Sequence, residues 1–136
     1  MKVSIIVSDM DSQGMISVNM LALCTQDFPK EEFEVILPDL GNFTKEDKTL
    51  LHEFVKQYSN FSIIETKGQT RSELFNVASK RAKGDLLLFI ESHIFVKKEW
   101  VKEYVDLFND AAIQMVQGEI QTVPSKSWVG PIRLAV

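Results

Sequence analysis

Gly84-Asp85-Leu86-Leu87-Leu88-Phe89-Ile90-Glu91-Ser92-His93 is the stretch on which the reading of the fold turns. Five apolar residues run unbroken from Leu86 to Ile90, which predicts a strand covered on both faces, as in a parallel sheet. Gly84 is expected to close the preceding helix in the left-handed conformation, which a residue without a Cβ enters cheaply. The run stops at Glu91-Ser92-His93. Residues two apart on an extended chain point the same way, so Glu91 and His93 are expected to converge just past the strand's carboxyl end. In open α/β sheets that edge is where ligands bind.

Upstream, Val3-Ser4-Ile5-Ile6-Val7-Ser8 reads as a first buried strand, rich in β-branched residues. It ends in Asp9-Met10-Asp11-Ser12, polar and ready to cap a helix. Ile16, Met20, Leu23 and Cys24 then keep helical spacing up to Phe28-Pro29. Glu34 to Asp39 is a second strand, with Pro38 at its end because it lacks an amide donor. Asp39-Leu40-Gly41-Asn42 is a turn. Thr44 caps a helix that shows Leu51, Phe54, Val55 and Tyr58 on one face. Phe61 to Thr66 is a third strand, followed by the Lys67-Gly68-Gln69 turn. Thr70-Arg71-Ser72-Glu73 matches a capping box and opens a helix expected to run to about Lys83.

Downstream of the quoted stretch, Trp100, Val101, Tyr104, Val105 and Phe108 mark a further helix. Ile113 to Val123 alternates in the manner of a strand with one solvated face. Strand and helix thus alternate from residue 3 to residue 109. That order predicts an α/β fold: a Rossmann-like, mostly parallel sheet with helices on both faces, in one domain over residues 1–136.

The composition is that of a globular protein, 45% hydrophobic and 25% charged. The net charge of −4 and the lack of a basic block argue against a nucleic-acid surface. A single cysteine, Cys24, excludes an internal disulfide and a multi-cysteine zinc site. No apolar run approaches the ~20 residues that cross a bilayer, and a cytoplasmic location is expected. The apolar end from Gly130 to Val136 looks cut from a longer protein.

The residues in order resemble the nucleotide-binding half of a family 2 glycosyltransferase of the GT-A fold. The resemblance rests on Val3-Ser4-Ile5-Ile6-Val7, on Gln26-Asp27-Phe28-Pro29, on Glu34 to Asn42, and on Phe75-Asn76-Val77-Ala78 through Gly84-Asp85. Phe89-Ile90-Glu91-Ser92-His93 stands in register with the family's Phe-Leu-Asp-x-Asp, and Trp100-Val101 with a later Trp-Leu. It implies a nucleotide-diphosphate sugar, UDP- or GDP-linked, as donor, an acceptor the chain does not name, and a base supplied beyond Val136. Transfer would be inverting. Ser8, Asp9, Asp39, Arg71 and Ser92 would surround the nucleotide. Glu91 and His93 would hold a divalent cation, Mn²⁺ or Mg²⁺, that bridges the diphosphate.

The departures are specific. Asp-x-Asp is Glu-x-His here, with one negative charge fewer and less hard oxygen character. The turn's second aspartate is Leu40, and Phe75 stands where arginine is usual. His93 could instead bond a phosphate oxygen directly as imidazolium. Asp39 either accepts from a base imino group or caps its own turn. Asp9 and Asp11 either approach the nucleoside or cap the first helix. Arg71 either meets a phosphate or is solvated. A non-catalytic scaffold with a degenerate metal motif is the alternative function. A receiver-like domain would need an aspartate where the third strand has Glu65-Thr66-Lys67. Peripheral membrane association of a longer chain and self-association stay open.

Overall fold

The computed structural model describes residues 1–10, 14–67, 70–123 and 132–135. Its centre is a parallel sheet of β1 (Val3–Ser8), β2 (Phe33–Asp39), β3 (Phe61–Glu65) and β4 (Leu86–Glu91), in the order β3-β2-β1-β4. The connections carry α1 (Ile16–Cys24), α2 (Lys45–Gln57) and α3 (Arg71–Ser79), and α4 (Trp100–Phe108) follows β4. A second sheet joins β5 (Ile94–Val96), β6 (Ile120–Val123) and β7 (Ile132–Ala135), with β7 between the other two.

The sheet is covered on both faces, as the alternation predicts. Val3, Ile5 and Val7 of β1 pack with Val35, Leu37, Leu88 and Ile90 against Met20 and Leu23 of α1, Leu51 of α2, and Trp100 and Val101 of α4. Ile6 and Ile36 point the other way, to Ala78 of α3, with Phe75 alongside. Each such fully buried Ile or Leu side chain contributes roughly 1.5–3 kcal/mol relative to exposure. The helix starts follow local chemistry. Thr44 accepts from the Asp47 amide at 3.0 Å. Thr70 and Glu73 form the expected capping box, at 3.2 and 3.0 Å.

Four expectations are corrected. First, the cover expected on both faces of β4 is incomplete: β4 stands at the end of the strand order among the described residues, and Leu86, Leu88 and Ile90 are buried while Phe89 is 46% exposed. An unbroken apolar run therefore overstated its cover. Second, Gly84 has no positive φ; those belong to Gly14 and Gly41 among the described residues. Gly84 is needed for space, because a Cβ there would meet Ser4 N at 2.5 Å and Val3 C at 2.7 Å. Third, α3 ends at Ser79. The amides of Lys80, Arg81 and Ala82 still bond back to α3, and the next two turn to the sheet, Lys83 N donating to Glu34 Oε1 at 2.6 Å and Gly84 N to Ser4 Oγ at 2.8 Å. Fourth, residues 113–119 carry no strand, and β6 begins only at Ile120. They run beside β4 and line, with Leu87, Phe89, Trp100 and Tyr104, a groove of about 840 Å³.

Candidate functional site at the carboxyl edge of the sheet

From β1 the chain passes through α1 to β2 on one side, and from β3 it returns through α3 to β4 on the other. The gap between the carboxyl ends of β1 and β4 is therefore the point where strand order reverses, the usual ligand crevice of such sheets. Ser8 is in register with Glu91 there. Residues paired across parallel strands share a face, so Ile6 with Phe89 and Ser8 with Glu91 lie on the side that α3 covers.

The first residue of α3 consequently stands over the last residue of β4. Arg71 Nη1 lies 2.9 Å from Glu91 Oε1. His93 brings its Nε2 to 3.3 Å from the other oxygen, Glu91 Oε2. Glu91 and His93 do converge, and their side chains remain 25% and 15% exposed, open to a ligand. Arg71 is paired into the same corner while its side chain stays 46% exposed.

Beneath it is a polar floor. Ser92 N donates to Ser8 O at 2.8 Å, and the Ser92 hydroxyl donates to Asp9 Oδ1. Ser8, Asp9 and Ser92 are only 2%, 5% and 3% exposed. They back the corner and do not line its surface. Ser8 Oγ is buried without a hydrogen-bond partner. Asp9 is no helix cap: α1 has Met15 at its N-cap position and no side-chain cap bond. Asp11 lies outside the described residues, as do Gly68 and Gln69 of the expected turn. Asn42 Nδ2 donates to Asp9 O at 3.0 Å and ties the turn after β2 to this floor.

Asp39 closes its own turn. Its Oδ1 accepts from Gly41 N at 2.7 Å, and Gly41 has the positive φ of 82° that favours glycine. Its Oδ2 lies 3.9 Å from Lys48 Nζ. His52 and Lys67 are exposed, and His52 Nδ1 contacts only its own helix, at Lys48 O, 2.6 Å.

As a cation site the corner is incomplete. Glu91 and His93 offer one carboxylate and one imidazole, the Arg71 guanidinium already neutralises part of that carboxylate, and no group of three ligating side chains exists among the described residues. Such a pair fits a borderline cation like Mn²⁺ better than Mg²⁺. It fits only a cation that draws its remaining ligands from water and substrate phosphates.

The structural roles of two buried amides, one beside this corner and one at the start of α4, were not read in the sequence. Asn19 of α1, fully buried, donates from Nδ2 to Ile94 O at 2.6 Å. Gln26 donates to Lys97 O at 2.9 Å and accepts from Val101 N at 3.1 Å. The signal was a polar residue on the apolar stripe of Ile16, Met20 and Leu23.

A mostly parallel sheet with helices on both faces and a charged corner at its switch point makes this an α/β domain of the GT-A type. The chain belongs to glycosyl transferase family 2, whose family model matches residues 4–134. It is 36% identical over 108 residues to the poly(ribitol-phosphate) beta-N-acetylglucosaminyltransferase TarS of Staphylococcus aureus, covering 76% of this chain and 18% of that protein. It is 26% identical over 129 residues to the poly(ribitol-phosphate) beta-glucosyltransferase of Bacillus spizizenii, covering 90% of this chain and 20% of that one. It thus spans about a fifth of the length of these relatives.

Among solved structures, residues 1–349 of Staphylococcus aureus TarS in complex with UDP-GlcNAc match with a TM-score of 0.70 and 27% identity, covering 92% of this chain and 37% of that one. The mannosyltransferase PcManGT from Pyrobaculum calidifontis, in complex with GDP-Man and Mn²⁺, matches with a TM-score of 0.58, covering 67% of this chain and 27% of that one. Its identity of 18% bears on the fold alone.

Proposed function

We propose that this chain is the donor-binding part of a glycosyltransferase that takes a uridine diphosphate sugar and passes the sugar to a hydroxyl acceptor with inversion. The observation that carries the reading is the meeting of Arg71, Glu91 and His93 at the sheet's switch point. The likeness to TarS, a protein seen with UDP-GlcNAc, supports uridine over guanosine. Arg71 supplies fixed positive charge to the diphosphate, whose negative charge grows as the bond to the anomeric carbon breaks. Asp39, anchored through Oδ1 to its turn, accepts from the base imino group through Oδ2. Ser8, Asp9 and Ser92 keep the ends of β1 and β4 in place beneath the nucleotide. A base from another part of the protein removes the acceptor's proton.

Glu91 and His93 would hold Mn²⁺ together with the diphosphate. A cation bound there neutralises charge on the leaving group. Because the protein offers it too few ligands, Mn²⁺ alone binds weakly and enters with the nucleotide. Calorimetric titration tests this with UDP and with GDP, each in Mn²⁺ and in EDTA, and with Mn²⁺ alone. The expected result is UDP binding that needs Mn²⁺, with little heat from Mn²⁺ by itself. No binding of either nucleotide overturns the reading. UDP binding that is equal in EDTA removes the cation and leaves Arg71 and His93 as the diphosphate contacts.

The scaffold reading draws on one observation, the guanidinium already seated on Glu91. It predicts that Glu91→Asp with His93→Asp creates Mn²⁺-dependent UDP binding that the wild type lacks.

A further inference from the structure

We infer that Asn19 is a positioning residue for His93, and that it holds the imidazole over Glu91 by anchoring the carbonyl of Ile94, the residue that follows His93. The inference rests on the proposed diphosphate-cation site but is argued from the packing of α1. Asn19 lies in the middle of α1, fully buried between Ile16, Met20 and Leu23. A position on that stripe is one where an apolar side chain is the stabilising choice. Its Nδ2 reaches Ile94 O at 2.6 Å, across 75 residues of sequence, while its Oδ1 is buried with no partner. A side chain that leaves an acceptor orphaned in the core loses stability there. The one bond it makes falls on the carbonyl next to His93.

The chain geometry explains why that bond matters. β4 ends at Glu91, β5 starts at Ile94, and only Ser92 and His93 lie between them. The amino side of this turn is fixed by Ser92 N on Ser8 O, 2.8 Å. Its carboxyl side is fixed by Asn19. With both ends pinned, His93 has its imidazole Nε2 at 3.3 Å from Glu91 Oε2. Without the Asn19 donor, the Ile94–Phe95 peptide loses its tie to α1, and the first residue of β5, to which His93 is joined directly, loses that anchor. Gln26 offers an internal comparison. It is also a buried amide beside α1, bonded to Lys97 O at 2.9 Å and from Val101 N at 3.1 Å, but it pins the start of α4 and not the turn at His93.

The test compares Asn19→Leu with Gln26→Leu. The chain has two histidines, so the ring signals of His93 can be followed by NMR with exposed His52 as the internal reference. Expected for Asn19→Leu is an unchanged or higher melting temperature, loss of the Overhauser contacts between the His93 ring and Glu91, and Mn²⁺-dependent UDP affinity weaker by roughly tenfold or more, as when a partner that orients a ligand is removed. Expected for Gln26→Leu is a lower melting temperature with the His93–Glu91 contacts kept. Asn19→Ala serves if the leucine does not fit, with the same NMR outcome. Unaltered His93–Glu91 contacts in either Asn19 variant overturn the inference. Should the wild type bind no UDP, the proposed function falls, while the NMR comparison still decides the role of Asn19.

Discussion

Replacing Gly84 by alanine tests whether this glycine serves space or conformation. The added Cβ would sit 2.5 Å from Ser4 N and 2.7 Å from Val3 C, where ordinary contact is about 3.5 Å. The obstacle is the backbone of a strand paired on both sides, so the segment before β4 must retreat by about an ångström. Gly84 N to Ser4 Oγ at 2.8 Å and Lys83 N to Glu34 Oε1 at 2.6 Å are the bonds in its path. Losing them costs ~1 kcal/mol each, and overpacking adds ~1–3 kcal/mol. Reduced freedom of the unfolded chain returns ~0.4–1 kcal/mol. The net loss is roughly 2–5 kcal/mol, a melting temperature lower by about 10 °C or more. Urea and thermal unfolding followed by circular dichroism measure both. Gly84→Asn separates the explanations further: a left-handed site tolerates asparagine better than alanine, whereas a crowded site suffers more from the larger side chain. Equal or higher stability of Gly84→Ala, or an asparagine variant better than the alanine one, refutes the steric argument.

Arg71→Ala should weaken UDP binding by roughly 10–100-fold, the range of a lost charge-assisted hydrogen bond; unchanged affinity in calorimetry would remove Arg71 from the site. Ser92→Ala should cost about 1.5–3 kcal/mol in urea unfolding, because the buried Asp9 carboxylate loses a donor; wild-type stability would show that the bond contributes little. Burial raises the Cys24 thiol, with Lys30 and Tyr58 pulling weakly the other way, and burial raises the Tyr104 phenol. Groups that hold their protons more tightly in the folded state stabilise it fully at neutral pH and less as pH climbs through their folded values. The melting temperature should therefore decline between about pH 8 and pH 11, less steeply in Cys24→Val, and an identical slope in that variant would contradict the assignment.

The strand-helix order was legible because period and punctuation are local. The β-branched run Val3–Ser8, the capping box at Thr70 and the turn at Asp39 each declare themselves within a few residues. What depends on distant partners did not. The Leu86–Ile90 run could not reveal that β4 has a neighbouring strand on one side only among the described residues, since exposure at Phe89 is set by strand order. Gly84 looked like a helix terminator because the proximity of Ser4 lies 80 residues away. In the site, Glu91 and His93 meet as expected, but across the Ser92-His93 turn and not by alternation along an extended strand. Arg71 was placed at the right edge, but its seat on Glu91 requires α3 to cross to the far face of the sheet. Asn19 looked like one polar residue in a helix.

The bare side of β4 has a consequence for handling the protein. Its outer row of amides and carbonyls has no ladder partner among the described residues, and the strand beside it is Leu-Leu-Leu-Phe-Ile with Phe89 turned outward. An unladdered strand edge of this kind templates extended chains from other molecules, and proteins usually blunt it with charge. Turbidity on concentration would then start here, before unfolding, and Phe89→Lys would suppress it while giving up the ring contact with Phe75, 4.9 Å between centroids.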